Sequence, residues 1–188
     1  DRVLSTWERR ASMTLTRELK RRGVNVIART AVDRVDTGAN LGATVHYRQG
    51  DSDEDRTAYG EVVLAAIGRV PNTDADWFRS SGLKLDERGY VTVDGYGRTN
   101  LDGVWALGDI TPGHALAHRA FEQGITIAEK IAGADPKPVL DDTVPQVVFS
   151  FPEAASVGLT LDQAKAREDV VEPKETAYPM LSNARMLM

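Results

Sequence analysis

A chain of 188 residues, 41% hydrophobic and 27% charged, has material for one substantial core or two small ones, and this composition excludes a disordered polypeptide. A formal net charge of -5, with both signs mixed along the chain, excludes the clustered basic face that nucleic acid requires. The absence of cysteine excludes disulfide staples, thiolate metal sites and cysteine nucleophiles, and it fits a reducing compartment. No apolar segment approaches the roughly 20 residues that cross a bilayer, and the charged start carries no signal-peptide core. The expectation is a cytoplasmic protein with neither membrane nor nucleic-acid partner.

From Glu8 to Arg22, Ala11, Leu15 and Leu19 recur every fourth residue, which predicts an amphipathic helix ended by Gly23. The basic run Lys20, Arg21 and Arg22 is its charged C-terminal end, where cations oppose the helix dipole. Strands are predicted at Val24 to Ala28, Ala31 to Val35, Ala43 to Arg48 and Tyr59 to Ile67. The turn Thr37-Gly38-Ala39-Asn40 and the acidic run from Gly50 to Asp55, read as a hairpin tip, separate them. Glu61 to Ile67 is too continuously apolar to keep one wet face, so it is expected to be covered on both sides, as in a parallel sheet.

Gly68-Arg69-Val70-Pro71-Asn72-Thr73 breaks that run. A turn over Asp86 to Gly89 should precede a strand from Tyr90 to Val93. A second helix is predicted from Leu116 to Ile131, with Ala117, Ala120, Gly124, Ile127, Ala128 and Ile131 as a small-residue stripe, and the strongest linker signal follows at residues 134–138. Beyond it, Val144 to Phe149 reads as a strand, and Thr160-Leu161-Asp162-Gln163 is a capping box opening a helix through Arg167.

The most informative stretch is Thr99 to Asp109, an apolar run ending in Gly108-Asp109, which would set one carboxylate at the mouth of a buried strand. An ionised carboxylate offers only acceptors, so it suits a pair of sugar hydroxyls, and a preceding glycine lets a ligand approach the backbone. Leu116-Ala117-His118 opens the second helix, where free amides and the positive dipole end are receptive to negative charge. His46, His114 and His118 show no metal-ligand spacing, and no acid or nucleophile beside His118 gives it a catalytic task. No catalytic residue and no metal ligand is assigned.

The eleven positions from Thr99 to Asp109 closely resemble the second flavin-binding motif of the pyridine nucleotide-disulfide oxidoreductases. Ala66-Ile67-Gly68-Arg69-Val70-Pro71-Asn72 resembles the signature at which that family crosses from the nicotinamide domain back to the flavin domain, and Leu116-Ala117-His118 through Gly124 leans toward its lipoamide dehydrogenase branch. The resemblance implies an α/β fold: part of a Rossmann-like FAD/NAD(P)-binding flavoprotein, with the start of an α+β dimerisation domain. It divides the chain into the end of an NAD(P) domain (1–68), a second FAD segment (69–143) and the opening of an interface domain (144–188), where Asn183-Ala184-Arg185 also resembles the family.

By the same resemblance, Asp109 with Gly108 meets the ribitol or diphosphate region of FAD, Leu116, Ala117 and His118 meet its pyrimidine, and Gly68 lies near the nicotinamide of NAD. Arg69 either assists that last contact or forms a structural ion pair. NADP is an alternative to NAD. The implied activity passes electrons between a dithiol/disulfide substrate, dihydrolipoamide foremost, and NAD through FAD, in a homodimer that can join a 2-oxo acid dehydrogenase complex. Mycothione- or glutathione-type disulfide reductases, soluble transhydrogenase and flavoprotein quinone reductases stand as alternatives, as does a non-catalytic nucleotide- or partner-binding module. The family's redox cysteine pair, its Gly-rich fingerprints and its C-terminal His-Glu base have no match here, so the chain alone is expected to be inactive as a disulfide reductase.

Overall fold

The computed structural model describes residues 1–38, 42–179 and 183. Helix α1 spans Arg9–Arg21, with Ser12 and Leu15 on its buried side. The Ser12 hydroxyl donates to the Val3 carbonyl at 2.6 Å, which ties the helix to the turn before it. Three contacts join α1 to the distant end of the chain: the Glu8 carboxylate accepts the Leu161 amide, Arg10 pairs with Glu175 at 2.9 Å, and the Arg22 guanidinium lies 4.3 Å from the Phe151 ring centre.

Strands β1 (Thr30–Thr37), β2 (Ala43–Gln49) and β3 (Arg56–Gly60) form an antiparallel sheet in chain order. The register pairs Arg34 with His46 and His46 with Thr57, with a bulge between Val32 and Arg34. The acidic run 50–55 is the β2–β3 connection, as its composition predicts. Ala39 and Asn40 of the preceding turn lie outside the described residues, as do Ala184 and Arg185.

Helix α2 is Asp76–Ser80, and α3 is Ala117–Ile131. A short antiparallel pair, β4 (Gln146–Val148) with β5 (Ala154–Ser156), precedes α4 (Leu161–Lys165). The predicted capping box is present at α4: Thr160 Oγ1 accepts the Gln163 amide at 3.2 Å, and Gln163 Oε1 accepts the Thr160 amide at 2.8 Å.

Two predicted strands are not strands here, a third is cut short, and the buried strand expected within the Thr99 to Asp109 run is not formed either. Residues 24–28 and 61–67 run irregularly, β3 stops at Gly60, and Leu64 and Ile67 are 86% and 96% exposed instead of covered. A parallel strand exists only when neighbours supply its ladder, and among the described residues no strand lies beside either segment. Residues 90–93 and 104–107 reduce to single bridges, Leu85 with Val91 and Arg98 with Trp105. Backbone bonds still cross these turns, the Thr92 amide to the Lys84 carbonyl and the Ala106 amide to the Gly97 carbonyl, each at 2.9 Å, and aspartate side chains close them. Asp86 Oδ1 accepts the amides of Arg88 and Tyr90, and Asp94 Oδ1 accepts those of Tyr96 and Arg98, all at 2.9 Å.

These turns wrap a small core of Phe78, Val91 and Ala106, with Leu83, Val93 and Ile110 packed against it. Val91 is fully buried, and its amide donates to the Ile110 carbonyl at 2.8 Å. Gly97 (φ +83°) brings this layer onto α3, since a Cβ there would sit 2.8 Å from Ile127 Cδ1 and 2.9 Å from the Ala106 carbonyl oxygen. Of the expected small-residue stripe, Ala120, Gly124 and Ile127 face inward, whereas Ala117, Ala128 and Ile131 are exposed. The stripe is therefore one patch, with Ala120 and Gly124 lying over Gly108 and Leu107. Arg98 stacks on Trp105, its guanidinium 4.9 Å from the ring.

Candidate cofactor site

The apolar run up to Leu107 delivers Gly108-Asp109-Ile110 as one turn of 3-10 helix. Gly108 is buried at φ +72°, and a Cβ on it would lie 3.3 Å from that of Ala120 on α3. Its amide donates to Gln123 Oε1 at 2.9 Å, and its carbonyl accepts both the amide (3.0 Å) and the hydroxyl (2.8 Å) of Thr111. Glycine is required here for close packing on the helix. Both of its polar backbone groups are engaged within the fold.

The geometry turns the next residue outward. Asp109 is exposed, and its carboxylate has no hydrogen bond or ion pair among the described residues. It lines a cleft of about 360 Å³ with Ile110, Gly113 and Ala115 on one side, Arg69, Val70, Pro71 and Asn72 on another, and Tyr90. Two segments that the sequence separates by forty residues thus share one cavity. The Pro71 ring lies 3.4 Å from where a Cβ on Gly89 would be, and the Thr73 hydroxyl donates to the Gly89 carbonyl at 2.6 Å, so the 69–73 segment is held against the 86–90 turn. Arg69 pairs with no carboxylate among the described residues. Gly68 is exposed, with nothing within 4 Å of a Cβ position.

Leu116 is the N-cap of α3 in extended conformation, and no side chain caps the helix. The first-turn amides, from Ala117 on, are free of intrahelical partners by helix geometry and remain available to a ligand. His118 points elsewhere. Its Nε2 donates to the Pro145 carbonyl at 2.7 Å, and it lines a second cavity of about 800 Å³ with Phe121, Lys137 and Val144. Arg119, 6% exposed, donates through Nε to Asp141 Oδ1 and through Nη2 to the Pro112 carbonyl, each at 2.6 Å, and so anchors the loop between Asp109 and α3. Arg69 and Asp109 are therefore brought together, while His118 serves the joint to the C-terminal segment.

Sequence reasoning passed over Asn72, Tyr90, Gln123 and Arg119. Asn72 lay within the Gly68 to Thr73 motif and was visible there. Tyr90 and Gln123 reach the site only through the turn at Asp86 and the pitch of α3, which leave no local signature.

An α/β chain with a free carboxylate and a free guanidinium in one cleft, beside an uncapped helix start, has the features of a nucleotide-cofactor protein. Residues 1–124 match the family model described as pyridine nucleotide-disulphide oxidoreductase, and the chain belongs to that family. It is similar to the dihydrolipoyl dehydrogenases of Geobacillus stearothermophilus (39% identity over 190 residues, 98% of this chain and 38% of the relative) and Cupriavidus necator (38% identity, 91% and 35%). Among solved structures, LpdA of Mycobacterium tuberculosis superposes with a TM-score of 0.74 at 31% identity, over 85% of this chain and 33% of that one. The chain spans 35% and 38% of the length of these curated relatives. Its α/β architecture is thus part of the family's flavoprotein fold. No helix among the described residues is long and apolar enough to cross a membrane.

Proposed function

We propose that this chain carries part of the FAD site of a flavin-dependent NAD(P) oxidoreductase that passes electrons between a dithiol/disulfide substrate, dihydrolipoamide foremost, and NAD. The observation that carries the reading is the shared cleft of Arg69 and Asp109. An acceptor-only carboxylate takes the ribitol hydroxyls, and a guanidinium, with five donors and a fixed charge, takes the diphosphate. Lining the same cleft as Asp109 supports a role for Arg69 toward FAD. The start of α3, with Leu116 and Ala117, offers amides to the electron-rich pyrimidine edge, and the open space at Gly68 suits the approach of NAD. Bound FAD supplies the redox chemistry; these residues bind it, orient it and favour its negative charge.

Residues 1–68 then belong to the NAD(P)-binding domain, 69–143 to the FAD-binding domain and 144–188 to an interface domain serving a homodimer. The dihydrolipoyl dehydrogenase relatives favour membership of a 2-oxo acid dehydrogenase complex. With no cysteine in the chain, the disulfide chemistry must come from other sequence. That same fact favours, as a second reading, a module that binds the nucleotide without catalysis.

Titrating the chain with FAD and following the quenching of flavin fluorescence tests the reading. Asp109→Ala and Arg69→Ala should each weaken binding roughly ten- to a hundredfold, the range for a charge-assisted hydrogen bond. Equal affinity in both variants and wild type sinks the cleft assignment. Binding by the intact chain without lipoamide reduction is what both readings expect of this polypeptide.

A further inference from the structure

His46 lies outside the cofactor cleft, on β2, with its side chain only 13% exposed and both ring nitrogens engaged. Nδ1 is 3.3 Å from Asp55 Oδ2, in the loop ahead of β3. Nε2 has two competing neighbours on β1, Asp36 Oδ2 at 2.9 Å and Arg34 Nη2 at 3.1 Å. One is an acceptor and the other a donor, so a single protonation state cannot satisfy both. Thr57 opposite it on β3 is uncharged, and along its own strand Arg48 pairs with Asp33 at 2.6 Å and 2.9 Å and reaches Asp53 of the loop at 4.0 Å; Asp33 in turn feels the charge of His46.

We propose that His46 is a proton-operated clasp that joins the acidic 50–55 loop to the sheet. The neutral ring keeps its proton on Nδ1, donates it to Asp55 and accepts from Arg34 through Nε2. Gaining a proton turns Nε2 into a donor, so the ring exchanges Arg34 for Asp36 and bridges two carboxylates with one positive charge. The β1 edge and the loop are then locked through one side chain. Arg34, which already lies 3.2 Å from Asp36 Oδ2, stays paired with that carboxylate, so the exchange strands no charge.

The test is 15N NMR of the histidine ring nitrogens in the intact chain from about pH 8 to about pH 5, the interval over which imidazoles ordinarily gain a proton. His46→Gln identifies the signals, and Asp36→Ala and Asp55→Ala are compared with wild type. The expected result is an Nδ1–H tautomer at high pH that Asp55→Ala switches to Nε2–H and Asp36→Ala leaves in place. Amide exchange at residues 51–55, corrected for intrinsic rates, should slow roughly two- to fivefold on acidification in wild type and not in His46→Gln, the scale of an exposed ion pair. An Nε2–H tautomer at high pH in wild type overturns the proposal. So does a wild-type exchange profile that His46→Gln reproduces.

Discussion

At the scale of single residues, Gly108 and Asp109 show how adjacent positions divide their work. Gly108 is spent on packing, its backbone closed onto Gln123 and Thr111; Asp109 is left with a free carboxylate facing Arg69 across a cleft. Substituting Gly108→Ala should therefore act on stability first. An L-residue at φ +72° with a neighbour 3.3 Å from its Cβ costs about 1–3 kcal/mol, read as a lower urea midpoint at unchanged slope. An unchanged midpoint would mean that α3 moves aside freely. The motif that ends at Asp109 was legible in the sequence because it runs over eleven residues. The structural demand on Gly108 was not, because it comes from Ala120, twelve residues away on another element.

At the scale of elements, α1 has its own pH signature. The Glu18 carboxylate accepts from Arg21 at 2.8 and 2.9 Å and from Arg22 at 2.8 Å, and these bonds hold it at about 2, below the usual 4.5. A depressed carboxylate stabilises the fold fully above its unfolded value and loses that contribution as pH falls through its folded one. Helicity followed by circular dichroism should accordingly hold down to about pH 4.5 and decline toward pH 2, and Glu18→Gln should remove the Glu18-dependent part of that decline. Helices α1, α3 and α4 were readable because their stabilising contacts recur within a few residues, as in the Thr160-Gln163 box; the five-residue α2 was not, being too short to show a period. Strands β1 and β2 were readable too, since each alternates locally. Residues 24–28 and 61–67 read as strands by composition, yet composition cannot supply the neighbours on which a parallel ladder depends.

At the scale of the whole molecule, the chain buries a modest core and leaves much apolar side chain in water. Val62, Leu64, Ile67 and Val70 are each at least 86% exposed along a single segment. A contiguous patch of this kind drives self-association. Sedimentation velocity should show concentration-dependent oligomers of the wild-type chain, and the double variant Leu64→Asp, Ile67→Asp should shift them toward monomer; equal distributions would place the association elsewhere. Membership of the family and the α/β class were legible from two short motifs. That Arg69 belongs beside Asp109 was not, because only the turn at Asp86 to Tyr90 brings the two motifs to one cleft.

The stacking of Arg98 on Trp105 has an optical consequence. The three tryptophans occupy three environments: Trp7 is 8% exposed, Trp77 is 70% exposed, and Trp105 lies beneath a guanidinium four residues before Asp109. Indole emission overlaps flavin absorption, so a flavin seated in the cleft drains Trp105 by resonance energy transfer. The chain thus carries a built-in lamp beside the candidate cleft, and a protein with Trp105 as its sole tryptophan would report flavin occupancy there by its own dimming.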